Sequence, residues 1–251
     1  MSVAVTSVLE QLGGVATRAQ LLALTHRSAV DRAIDVGDVA VVARGRYVLA
    51  RVDRAPAAAH RVGGHLSHLS AALHHGWSVL LVPPVPQVTV PRYRRLSPER
   101  RRDVELRWAT LESDEVRDGA TTPDRTLGDC LRHLPAREAL AVADSALRSG
   151  YSHARLARVT AELRGTGAPA ARSIAARADG RAANPFESAL RAVCLEVAGL
   201  RVRPQVSLHG REFLGRPDLV DVHLRIVLEA DSFTWHGDKA SLEHDACRSI
   251  A

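Results

Sequence analysis

Residues 217–237 read PDLVDVHLRIVLEADSFTWHG, and the fold of the chain turns on how this stretch is read. Pro217 to Val222 is a short β-rich run and Leu224 to Leu228 a second, strongly β-forming one, so the two read as neighbouring strands. Acids stand at their ends: Asp218 at the start of the first, and Glu229 and Asp231, separated by Ala230, directly after the second. Asp218 precedes Glu229 by eleven residues. On neighbouring strands, that spacing brings two carboxylates close enough to share one Mg2+, a hard cation that prefers oxygen ligands and keeps several waters. The Ala230 carbonyl is a third oxygen within reach.

Working back from this stretch, Asn184-Pro185 opens a helix, Glu187 lies in its first turn, and the amphipathic run FESALRAVCLEVAGL closes at Gly199. Val202 to Leu208 and Arg211 to Leu214 read as two further strands. A helix carrying an acid, then strands with one acid near a turn and an acid pair at the end of the next, resembles the layout of the PD-(D/E)xK nucleases, and the literal Pro217-Asp218 dipeptide is present. With Trp235-His236-Gly237 following, residues 217–237 also resemble the matching segment of very-short-patch repair endonucleases.

That resemblance implies a restriction-endonuclease-like α/β domain and Mg2+-dependent cleavage or nicking of DNA. Asp218, Glu229 and Ala230 would hold the metal, and Glu187 would reach it through a water. His236 occupies the place of the catalytic histidine in the repair enzymes, where a near-neutral pKa suits proton transfer. Asp231 departs from the pattern, standing where a lysine or histidine is expected; it reads either as an extra metal ligand or as the mark of a site that binds metal without cleaving. The same resemblance implies one more helix and strand after residue 251, so the domain is expected to lack its last elements, to leave a sheet edge uncovered, and to invite homodimerisation.

The N-terminal 50 residues read differently. SVAVTSVLEQL carries apolar residues at helical spacing and stops at Gly13-Gly14; Thr17 caps a second short helix; Ser28 caps a third that ends at Gly37. Val39 to Ala43 and Tyr47 to Leu49, joined by Arg44-Gly45-Arg46, form a hairpin. Three short helices and a hairpin are the order of a winged helix-turn-helix, whose third helix enters the major groove of double-stranded DNA. Arg27, Ser28, Asp31 and Arg32 would face the bases, and Arg44 and Arg46 at the wing tip the phosphates.

The segments QLGGVATRAQLLAL (11–24), ARGRYVLA (43–50), SHLSAALHHGW (67–77), QVTVPR (87–92), TTPDRTLGDCL (121–131) and ALAVADSALRSG (139–150) resemble actinobacterial proteins that carry an AbiEi-like antitoxin winged helix and its following domain. The likeness covers about residues 7–150. It implies a DNA-binding regulator, often of a toxin-antitoxin operon and so with a cognate toxin as partner. The chain therefore reads as α+β: a winged helix-turn-helix over residues 1–50, a mixed α/β middle domain over 51–164, a linker over 165–182, and a nuclease-like domain over 183–251. Its expected function is that of a DNA-binding, Mg2+-dependent endonuclease, or of a non-catalytic regulator whose nuclease-like domain is inactive.

Charge supports a division of labour. The chain of 251 residues carries a net charge of +6, distributed as +1 over residues 1–50, +7 over 51–182 and −2 over 183–251. The basic middle suits an anionic partner and the acidic end a cation. The densest basic run, Arg92 to Arg102, reads as a solvated loop. His65, His68, His74 and His75 have no acidic or thiol partner at fixed spacing and read as packing or helix-end side chains. Cys130, Cys194 and Cys247 lack metal or redox spacing and read as reduced thiols of a cytoplasmic protein; no run approaches a membrane span.

Overall fold

The computed structural model describes residues 4–43, 45–209 and 213–230. The fold of these residues is mixed α+β. Arg44, Asp231 and His236, and the expected missing helix and strand, lie outside the described residues. Among those described, no helix is long and apolar enough to cross a membrane.

The chain begins α1 (Val5–Gln11), β1 (Val15–Thr17), α2 (Arg18–Leu24), α3 (Arg27–Asp35), β2 (Val39–Ala43) and β3 (Arg46–Leu49), with an antiparallel sheet in the order β1-β3-β2. Three short helices and a hairpin are present as expected, with β1 added. Thr17 and Gln20 exchange side-chain and backbone bonds in a capping box that starts α2. Ser28 is not a cap. Thr25 Oγ1 donates to the Leu21 carbonyl, the turn is tighter than its residues suggest, and α3 starts at Arg27 with His26 in the cap position. Leu9, Leu21 and Val30 are fully buried beneath this unit with Val39 and Tyr47.

A glycine seats this N-terminal unit on the segment at Ser78 and Val79. Gly13 has φ +83°, and a Cβ there would stand 2.8 Å from the Val79 backbone nitrogen, so only glycine allows the Val79 N–H to reach the Gly13 carbonyl at 3.1 Å. Val15 and Val48 pack into one core with Leu69, Leu73 and Trp77, so residue 50 marks no break in packing.

Beyond β3 lie α4 (Ala50–Asp53), α5 (Ala55–Val62), β4 (His65–Leu66), α6 (His68–His74), β5 (Gln87–Val90), α7 (Pro98–Arg101), β6 (Glu105–Trp108), β7 (Val116–Arg117) and β8 (Ala120–Thr121), the strands ordered β6-β5-β4-β8-β7. α5 and α6 pack on these strands, and a helical layer rests on the other side of α6: α8 (Pro123–His133), α9 (Ala136–Arg148), α10 (His153–Glu162), α11 (Ala168–Ala175) and α12 (Pro185–Cys194). The span expected as a linker is a packed part of this layer. Its alanines recur at helical spacing, and Ala168, Ala171, Ile174 and Ala175 are buried, as are Ala178 and Ala182 beyond the helix. Small side chains made the segment look loose, yet they let α11 approach α8 and α9 closely.

Nor does residue 183 open an independent unit. Arg191 of α12 donates to Asp144 of α9 at 2.5 Å, their side chains 4% and 0% exposed, while Asp144 also accepts the Asp179 N–H at 2.7 Å and Arg191 reaches the Arg177 carbonyl. The chain ends its described part with β9 (Arg203–Pro204), β10 (Leu208–His209), β11 (Phe213–Gly215), β12 (Leu219–Asp221) and β13 (Ile226–Leu228), paired as β13-β12-β9 and β10-β11. The single strand expected over Val202 to Leu208 is split, because Gln205 between its halves has φ +55°.

Truncating Arg191 strands a buried carboxylate. Arg191→Ala is expected to lower the unfolding free energy by about 3–5 kcal/mol, measured by urea denaturation; a loss under about 1 kcal/mol would show that the pair does not anchor α12.

Candidate functional site

At the start of α12, the Asn184 side-chain oxygen accepts the N–H groups of Phe186 and Glu187 at 2.9 and 3.0 Å, the N-cap that Asn184-Pro185 foretold. The Asn184 amide then donates back to Glu187 Oε1 at 2.7 Å. Glu187 Oε2 accepts the Ala183 N–H at 2.8 Å and the Gln205 amide at 3.0 Å. So held, Glu187 is only 2% exposed. Burial raises its pKa above the usual carboxylate range, partly countered by the Ala183 N–H, and the nearby Asp218 charge adds to the rise.

The strands bring the other acids to the same place. β12 and β13 pair Leu219 with Leu228, Val220 with Val227 and Asp221 with Ile226, so one step further Asp218 stands opposite Glu229. Like charges at such positions repel. Here each finds a backbone donor instead: Glu229 Oε2 accepts the Asp218 N–H at 3.1 Å, and Asp218 Oδ2 accepts the Ala230 N–H at 2.8 Å. The hairpin is extended by a rung made of side chains. Asp218 Oδ1 accepts from the Gln205 amide at 3.3 Å, so Gln205 bridges Glu187 and Asp218.

Gln205 was not foreseen. Its backbone takes a left-handed conformation that side-chain-bearing residues rarely adopt, held by its N–H to the Asp218 carbonyl at 3.0 Å. Its one sequence signal is its place after Pro204, in the middle of an otherwise β-forming run. The acceptors at this corner are carboxylate oxygens, with half-buried Asp218 and exposed Glu229 in front, Glu187 behind, and the Gln205 amide nitrogen between Glu187 and Asp218. Carboxylate oxygens and like charges held close are what a hard divalent cation fits.

The residues expected to meet DNA are placed less uniformly. Arg27, Ser28 and Arg32 are all exposed on α3. Asp31 instead pairs with Arg18, at 2.7 Å, and this guanidinium, itself bonded to the Tyr47 hydroxyl, holds the half-exposed Asp31 carboxyl below its usual range. Exposed Arg46 lays its guanidinium against Gly76, where a Cβ would collide with it. In the Arg92 to Arg102 run, Arg94 covers Gly63 in the same way and Arg101 donates to the Leu96 carbonyl.

No family model matches the chain. Two Mycobacterium tuberculosis proteins, Rv2248 of strain H37Rv and MT2308 of strain CDC 1551, both described as uncharacterized, are each 33% identical to it over 132 residues, which is 51% of this chain. The chain spans about half the length of these curated relatives, 49% of each. Among solved structures, that of the RV2827C protein from Mycobacterium tuberculosis is similar over 83% of this chain and 88% of its own, at 16% identity and a TM-score of 0.37.

The turn joining β12 to β13 fixes the corner. Asp221 accepts the N–H groups of Leu224, Arg201 and His223 at 2.9, 2.6 and 3.0 Å, which holds its pKa below the usual 3.8. A depressed carboxylate stabilises the fold above its unfolded pKa and loses that contribution as pH falls through its folded pKa. Asp221→Ala is therefore expected to lower Tm by several degrees at pH 7, with the gap to wild type narrowing as the pH falls below the usual carboxylate range; a gap independent of pH, followed by scanning calorimetry, contradicts this role.

Proposed function

We propose that the chain is a cytoplasmic DNA-binding protein whose C-terminal carboxylate corner carries Mg2+-dependent hydrolysis of a phosphodiester bond. The observation that carries this reading is the convergence of Glu187, Asp218 and Glu229, from one helix and two strands, with Gln205 bridging the first two. Asp218 and Glu229, cross-strand partners at the open end of a hairpin, would hold the metal. When bound, such a metal lowers the pKa of a coordinated water and offsets charge developing on the scissile phosphate.

The protein's own groups divide the rest of the work. Glu187, with both oxygens already accepting N–H donors, serves as a recessed acceptor that orients a water. Gln205 keeps Glu187 and Asp218 apart by donating to both. Asp231 and His236 enter the proposal as an added ligand and as the proton acceptor. Exposed Arg27, Ser28 and Arg32 on α3 support duplex binding, with double-stranded DNA as the partner.

Supercoiled plasmid incubated with the purified protein in Mg2+ or Mn2+ is expected to be nicked, to be spared in EDTA, and to be nicked at least about a hundredfold more slowly by Asp218→Ala. Nicking that persists in Asp218→Ala would overturn the site. Tight duplex binding without cleavage would overturn the enzymatic half and leave a non-catalytic regulator.

A further inference from the structure

The histidines that the sequence sets apart from any acidic partner are not apart in space. His68 opens α6, and α8 carries Asp129 and His133 four residues apart, on one face of the helix. The ligating atoms of the three all lie within 4.8 Å of one another, and His68 Nε2 stands 3.0 Å from His133 Nδ1. We propose that His68, Asp129 and His133 form a zinc site that clamps α6 to α8, with His68 Nε2, His133 Nδ1 and one Asp129 oxygen as ligands.

The geometry needs little adjustment. In tetrahedral zinc with Zn–N bonds of about 2.0–2.1 Å, two ligating nitrogens lie about 3.3 Å apart. The imidazole pair is within a few tenths of an ångström of that spacing. Both imidazoles present their facing nitrogens to each other, an arrangement that a cation between them replaces with two bonds.

Around this group the outer contacts are those that orient metal ligands. His68 Nδ1 lies 3.1 Å from Ser67 Oγ, which leaves Nε2 as the nitrogen turned toward His133. Asp129 Oδ2 accepts from Arg125 Nε at 2.9 Å, and Arg125 is itself held by both oxygens of Glu115 at 3.0 Å. The backbone at His68 is left-handed, φ +49°, and the next N–H, that of Leu69, is fixed by the Gln87 side chain at 2.9 Å. A strained residue pinned from both sides is a costly way to place a mere packing histidine.

Three arginines, Arg107, Arg125 and Arg132, stand near the imidazole pair. Arg107 is paired with Glu105 at 2.8 Å and Arg125 with Glu115 and Asp129. His68 and Asp129 are buried and His133 is exposed, so a fourth position opens to solvent on the His133 side, where water completes the tetrahedron. Zinc there does not involve the carboxylate corner.

The test uses untagged full-length protein stripped with chelator, titrated with Zn2+ in a calorimeter and, separately, with Co2+ followed by its ligand-field absorption. Wild type is expected to take up one Zn2+ per chain, to give tetrahedral Co2+ bands, and to rise in Tm on loading. Asp218→Ala is expected to do the same. His133→Gln, at an exposed position whose loss does not disturb the core, is expected to bind at least about tenfold more weakly and lose the Co2+ bands; Asp129→Asn is expected to follow it. Failure of wild type to bind Zn2+ at micromolar concentration, or binding unchanged in His133→Gln, would overturn the proposal.

Discussion

Between α9 and α12, a carboxylate and a guanidinium meet almost out of reach of water, and the placement of the C-terminal corner depends on that contact. Arg191 and Glu187 are four residues apart on α12, so they share a face of the helix. Drawing Arg191 inward to Asp144 fixes the rotation of α12, which turns Glu187 inward as well, toward Gln205. A buried ion pair contributes little net stability over an apolar contact of the same size, but it punishes any misplacement severely. Its effect here is to hold one helix in register between a helical layer and a small sheet.

That coupling was the part least legible in the sequence. Asp144 and Arg191 each sit in an ordinary amphipathic helix, and nothing in either stretch announces a partner 47 residues away. The linker reading of residues 165–182 failed for a related reason. Alanine and arginine with flanking glycines look like an open connection, whereas buried alanines are what close helix packing demands. By contrast, features written in local chemistry were readable. Thr17 and Asn184 accept N–H groups at helix starts, the two strands of residues 219–228 pair as a hairpin, and their spacing brings Asp218 opposite Glu229.

The same contrast separates the two clusters of candidate ligands. Acids eleven residues apart on either side of a hairpin can be paired by counting, because strand register converts sequence distance into position. His68 and His133 are 65 residues apart and are joined only by the packing of α6 on α8, so no counting rule finds them. Gln205 escaped because a glutamine after a proline in an extended run does not announce the backbone angle from which its role comes.

That angle sets two demands against each other. A residue selected for stability alone at φ +55° is glycine, which occupies the left-handed region without steric cost. Glycine carries no amide side chain, and the bridge between Glu187 and Asp218 would be left to water. Position 205 is thus a point where the fold tolerates local strain to keep two acids spaced by a neutral donor. Improving the thermal endurance of this chain by relieving its strained backbone would, at this one residue, loosen the charge arrangement that the strain maintains.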